Sequence, residues 1–153
     1  MPEIRRIRDG EGETVAALWS RMGAEIPDGG PLSPEGFRNI ARMLDVSAWH
    51  RDTATLVAVE DGVIVGFISY RVDDEDGLLP CPGGELNELY VLPEHRGRGL
   101  RGALADAAVA DLRERGAVVL SAPGPADDPG FRAFWEARGF EADVIVLSRY
   151  PEE

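Results

Sequence analysis

Leu86-Asn87-Glu88-Leu89-Tyr90-Val91-Leu92-Pro93-Glu94-His95-Arg96-Gly97-Arg98-Gly99-Leu100-Arg101-Gly102-Ala103-Leu104 is the stretch on which the fold turns. A β-prone run is stopped by Pro93, glycines follow at 97, 99 and 102, and a helical apolar period opens at Leu100. The segment reads as a strand entering a glycine loop that starts a helix. Such a junction suits an anion. Free N–H groups at the helix N-terminus point outward, glycine lets backbone approach, and the dipole favours negative charge. Arg96, Arg98 and Arg101 add three positive charges against one local acid, Glu94. A diphosphate is the natural guest.

Working outward, residues 3–8 can form an opening strand. Val15, Leu18, Trp19 and Met22 recur at helical spacing within residues 13–25. Ser33 and Pro34 form an N-cap and first-turn pair, and Phe37, Ile40, Met43 and Leu44 carry a second helix to about Val46. The period then changes. Residues 53–60 are β-rich, Asp61-Gly62 is a hairpin turn, and residues 63–72 return as a strand apolar on both faces. Residues 73–84 read as a loop, 85–92 as a strand, 97–115 as a helix with Leu100, Leu104, Ala107, Ala108 and Leu112 on one stripe, and 117–121 as a short strand. A helix over 129–138 ends at Gly139 with Phe140 as its apolar contact, and residues 143–150 are predicted as the last strand. The order is β-α-α-β-β-β-α-β-α-β. The predicted fold is α/β, a mixed, mostly antiparallel sheet flanked by helices, in a single domain over residues 1–153.

Composition removes several chemistries. The chain has 153 residues and a net charge of −12, and all 16 of its bases are arginine. Without lysine there is no Schiff base and no P-loop lysine. The acidic surplus opposes nucleic-acid binding, where neutralising phosphates dominates affinity. One cysteine, Cys81, and two histidines, His50 and His95, make neither an internal disulfide nor a zinc cluster, so no metal is expected. No apolar run approaches the ~20 residues of a membrane span and the N-terminus lacks a secretion signal, so a cytoplasmic protein without membrane partners is the expectation.

Two cofactor readings of the glycine loop compete. Gly97-x-Gly99-x-x-Gly102 fits the dinucleotide fingerprint literally, but that motif wants an acid about 20 residues on, and the next strand ends at Ser121-Ala122-Pro123. The other reading is a resemblance. Leu89-Tyr90-Val91 followed, after four residues, by Arg96-Gly97-Arg98-Gly99 resembles the acetyl-CoA-binding motif of the GNAT superfamily of N-acetyltransferases. Ile64-Val65-Gly66-Phe67-Ile68 is similar to that family's central strand, and Phe134-Trp135-Glu136-Ala137-Arg138-Gly139-Phe140 to its C-terminal motif.

The resemblance implies direct attack of an amine on the thioester of acetyl-CoA. It places the pantetheine arm along Leu89, Tyr90 and Val91, with a backbone N–H near Val91 polarising the acetyl carbonyl, and the pyrophosphate at Arg96, Gly97, Arg98, Gly99, Leu100 and Arg101. An attacking amine must be neutral, which makes Glu88 the candidate base, acting through water. An ordinary acid on a sheet face reads equally well. Glu85, three residues away, falls on the opposite face by strand alternation, and Tyr90 on the same side as Glu88, either shaping a substrate pocket or packing against a helix. Three positions depart from the family pattern: Arg101 where Gly or Ala is usual, Trp135 for the usual Tyr acid, and Asp128 for a common Asn. The acceptor is an amine. The run Asp73-Asp74-Glu75-Asp76 could attract a cationic one, although such runs are usually just solvated. Trp19, Met22, Phe37 and Trp49 are core or pocket residues in the helices where the family builds its acceptor site. The resemblance admits a homodimer. The rival from another class is a coenzyme A-binding sensor or interaction module without turnover.

Overall fold

The apolar run that begins at Val63 becomes the middle of a five-stranded sheet. The computed structural model describes residues 2–73 and 82–152, so residues 74–76 of the acidic run, and Cys81, lie outside the described residues. The chain divides into two units, Met1–Pro123 and Gly124–Glu153. The first holds β1 (Glu3–Arg6), α1 (Gly12–Glu25), α2 (Pro34–Ser47), β2 (Thr53–Glu60), β3 (Val63–Asp73), β4 (Gly83–Val91), a 3-10 turn (Pro93–His95), α3 (Leu100–Glu114) and β5 (Val119–Ser121). The second holds α4 (Pro129–Glu136). Strands lie in the order β1-β2-β3-β4-β5; all pairs are antiparallel except β4–β5, which is parallel. None of the described helices is long and apolar enough to cross a membrane.

Side-chain alternation along β3 assigns the two faces. Trp19 of α1 stacks on Phe67 with ring centroids 5.8 Å apart, so Phe67 faces α1. Tyr70, an odd number of residues on, faces the other way and donates its hydroxyl to Asp111 of α3. Residues Ile64 to Tyr70 are buried without interruption, as a strand covered by helices on both faces must be. The α3 stripe buries Leu100, Leu104, Ala105, Ala108 and Leu112.

Local capping follows the sequence closely. Ser33 Oγ accepts from Gly36 N at 3.0 Å and opens α2. Asp128 Oδ1 accepts from Gly130 N and Phe131 N at 3.0 Å and opens α4. The α4 end has Gly139 at φ 88°, and Phe140 N donates back to Trp135 O at 3.1 Å. The α1 N-terminus is satisfied from a distance. Asp45 Oδ1 of α2 accepts from Gly10 N and Gly12 N at 3.0 and 2.8 Å, and the helices approach so closely there that a Cβ on Gly12 would sit 2.1 Å from Ala41 O.

The start of α3 and the last strand differ from expectation, and β4 begins at Gly83, inside the expected 73–84 loop. Helix α3 starts at Leu100 and not at residue 97, because Gly97 and Gly99 hold φ of 82° and 80°, which a right-handed helix cannot contain. The last predicted strand, residues 143–150, is absent: the segment is irregular, with Val144, Ile145, Val146 and Leu147 between 81% and 91% exposed. β-propensity describes fit to a pleated surface and supplies no pairing partner.

Candidate active site

Strand β4 carries the site because it pairs on one side along its length and on the other only at its start. Its β5 ladder runs from Gly83 to Glu85 and then stops. Opposite β3 the register is Phe67↔Tyr90 and Ile68↔Leu89, then Tyr70↔Leu86. One residue, Ser69, therefore faces two, Asn87 and Glu88: a β-bulge, which re-aims side chains and interrupts pairing. Leu92 N donates to Val65 O at 2.9 Å. Antiparallel ladders alternate, so Tyr90 also bonds toward β3, while the N–H and C=O of Leu89 and Val91 point to the side that β5 has left. An extended chain can add there as a strand would.

The bulge changes the face assignments. Glu88 meets Ser69 on the α1 side, as does Tyr90, in agreement with the sequence. Glu85 was expected on the opposite face and is not: it pairs with Arg71, which shares the face of Ser69, and its Oε2 lies 3.4 Å from Arg71 Nη2. The extra residue restores the phase that simple alternation over three positions would invert.

Beyond Val91 the chain turns through the glycine loop into α3. The helix has no side-chain cap and no acid in its first turn. Ala103 N is the first to bond back, to Gly99 O at 2.9 Å, which leaves the N–H groups of Leu100, Arg101 and Gly102 without intrahelical acceptors. Leu89, Tyr90, Val91, His95, Arg96, Gly97, Gly99, Leu100 and Arg101 line one cleft of about 340 Å³. The open strand edge and the open helix end thus share one cleft. Arg101 lines this cleft and is exposed.

The arginines are engaged differently from the expectation of a bare positive cradle. Arg96 Nε donates to Val91 O at 2.9 Å, its Nη2 donates to Glu25 Oε2 at 2.7 Å, and its guanidinium lies 5.4 Å from the centre of the Tyr90 ring. Tyr90 donates its hydroxyl to the other Glu25 oxygen at 2.9 Å. The Arg96 bond holds the Glu25 carboxyl below its ordinary range, and burial, helped by Glu25, raises the Tyr90 phenol. Arg98 Nη1 donates to Glu60 Oε1 at 2.8 Å, and His95 Nδ1 lies 2.6 Å from Glu60 Oε2. His95, then Arg98, hold the Glu60 carboxyl low. Two carboxylates remote in sequence thus pair with Arg96 and Arg98.

Glu25, Glu60, His95 and Ser69 were missed from sequence. No local spacing points to the two acids, which arrive from the end of α1 and the end of β2. Ser69 carried a signal, a polar residue inside an apolar strand. Of the four acceptor-pocket candidates none lines the cleft: Trp19 packs on Phe67, Met22 and Phe37 are half-buried, and Trp49 is 67% exposed. Within its own unit, Trp135 packs edge-on against Phe134 and Phe140 with centroids 5.1 and 5.0 Å away. Asp128 is committed to the α4 cap. Among the described residues there is no group of three or more His, Cys, Asp or Glu able to hold a metal.

Comparison with known proteins identifies the family. Residues 25–140 match the acetyltransferase (GNAT) family, and the chain belongs to it. It is 34% identical over 120 residues to the mycothiol acetyltransferase of Propionibacterium freudenreichii subsp. shermanii, a match covering 76% of this chain and 36% of that protein. It is also 34% identical over 101 residues to the aminoglycoside N(6′)-acetyltransferase type 1 of Stenotrophomonas maltophilia, covering 64% of this chain and 66% of that one. The chain thus spans about a third and just under two thirds of these two relatives. An aminoglycoside N-acetyltransferase solved in complex with coenzyme A superposes with a TM-score of 0.77 at 20% identity, over 98% of this chain and 95% of that one.

Proposed function

We propose that the chain is an acetyl-CoA-dependent N-acetyltransferase that acts on a primary amine, with residues 1–153 working as one domain. The observation that carries this is the convergence of the open β4 edge and the uncapped α3 N-terminus in one cleft. These donors fit the cosubstrate. Leu89 and Val91 would hold the pantetheine arm through their backbone, and Gly97, Gly99, Leu100 and Arg101 the diphosphate through backbone N–H groups. Acetyl-CoA, when bound, supplies the activated thioester acyl group. The N–H of Val91 polarises a carbonyl laid against it, an oxyanion-hole role. Glu88 takes the proton from the ammonium form of the acceptor, directly or through one water. The aminoglycoside specificity of the S. maltophilia relative supports a cationic acceptor. The tryptophan at 135, where the family pattern usually has a Tyr acid, supports a second reading, a coenzyme A-binding module without turnover.

Calorimetry with acetyl-CoA and a thiol-release assay over a panel of amines separate the readings. Binding with thiol release supports the enzyme, binding alone supports the module, and no binding at millimolar acetyl-CoA removes both. The Glu88→Gln variant is expected to lose about a hundredfold in turnover, the scale of one general base. The loss should be greatest at low pH, where fewer amine molecules are already neutral. Equal rates for the two proteins across pH would remove Glu88 as the base.

A further inference from the structure

We propose that Ser69 is a positioning residue that aims the Glu88 carboxylate; this rests on the reading of Glu88 as the base. Ser69 lies in the uninterrupted buried run of β3 and is 9% exposed. A hydroxyl in such a place costs free energy unless it is bonded. Its partner is Glu88: Ser69 Oγ donates to Glu88 Oε2 at 2.6 Å and accepts from Glu88 N at 3.4 Å. Because the serine oxygen receives the backbone N–H, its single proton is directed at the carboxylate.

The bulge explains why such a device belongs here. Two β4 residues oppose Ser69, so the ladder that would fix the backbone of a regular strand is interrupted where Glu88 sits. Glu88 also ends in a flexible side chain. The Ser69 hydroxyl ties both its backbone and one carboxylate oxygen to the neighbouring strand. Oε1 makes no hydrogen bond among the described residues and is left for a water or an ammonium group. Strand packing alone gives no reason for a hydroxyl, because alanine would fill the β3 position. The nearby buried pair Ser47 and Thr55 satisfies itself at 2.8 Å and does not call on Ser69.

Steady-state kinetics with acetyl-CoA and an aminoglycoside acceptor test this on Ser69→Ala, Ser69→Thr, Glu88→Ala and the double variant Ser69→Ala/Glu88→Ala. Ser69→Ala is expected to lower kcat about tenfold, the scale of one hydrogen bond to a charged group, with the KM for acetyl-CoA changed less than about twofold. Ser69→Thr keeps the hydroxyl and should recover most of the rate. In the Glu88→Ala background the serine change should have no further effect, because its target is gone. The side-chain carboxyl NMR resonance of Glu88 should move in Ser69→Ala and stay in place in Ser69→Thr. An unmoved resonance, or a serine effect that persists without Glu88, overturns the proposal. If Glu88→Ala is slow but Ser69→Ala runs at the unmodified rate, the base reading stands and the proposal alone fails. If Glu88→Ala itself runs at the unmodified rate, both fall.

Discussion

At the residue scale, the site is set by carboxylates that meet partners far along the chain. Glu25 is 71 residues from Arg96, and Glu60 is 38 from Arg98. The sequence shows the arginines beside the glycines but cannot show what neutralises them, because ion pairing follows spatial proximity and leaves no periodic trace. Ion pairs also form between residues close in sequence. Arg5 donates from Nη1 and Nη2 to the two oxygens of Glu11 at 2.9 Å each, and Arg8 N adds a third bond at 2.8 Å. The Arg5 bond is the main reason the Glu11 carboxyl falls from 4.5 to about 2. A lowered carboxyl contributes stability above its unfolded value and loses it as the pH falls through the folded one. With water screening a partly exposed pair, Glu11→Gln should cost about 1 kcal/mol at neutral pH, a Tm drop of about 2–4 °C. That difference should shrink as the pH falls from 4.5 toward 2, the interval between the two carboxyl values. A Tm gap that stays constant down that range in calorimetry would contradict the assignment.

At the element scale, caps and turns were legible because they depend on a few neighbouring residues. Ser33 with Pro34, Asp61 with Gly62, and Gly139 with Phe140 perform the roles their types favour. The bulge in β4 was not legible, since it is a relation between two strands: Asn87 and Glu88 become a bulge only when Ser69 alone stands opposite. The face that Glu85 takes depends on the same relation. The glycine loop lies between these cases. Gly99 sits at φ 80°, and no atom lies within 4 Å of where a Cβ would be, so an added methyl meets conformational strain and no collision. Gly99→Ala should therefore cost about 1 kcal/mol in the loop and weaken acetyl-CoA binding about fivefold. A collapse of the fold or an unchanged binding constant in calorimetry would show that the αL geometry is not what the loop contributes.

At the scale of the whole molecule, a net charge of −12 meets a candidate ligand that is itself anionic. The arginine surplus of residues 96–101 would reconcile the two, but Glu25 pairs with Arg96 and Glu60 with Arg98. Acetyl-CoA bound as proposed would rely on short-range N–H groups, which salt screens little, while the acidic surface attracts cations over roughly a Debye length. Raising ionic strength from about 20 to about 150 mM should change the KM for acetyl-CoA less than about twofold and raise that of a cationic amine several-fold. A steep loss of acetyl-CoA affinity with salt would restore a positively charged cradle.

The sequence by itself determined the identity and order of nearly every element, the strand–glycine loop–helix junction and the family. These follow from periodicity, capping and backbone freedom within a few residues. Only the tertiary structure decided which face Glu85 takes, that Ser69 meets Glu88, and that two acids neutralise the loop arginines. It also decided that residues 143–150, for all their β-branched side chains, form no strand. In each case the deciding interaction joins residues whose proximity exists only after folding: a register, a hydrogen bond across strands, a pairing edge present or absent.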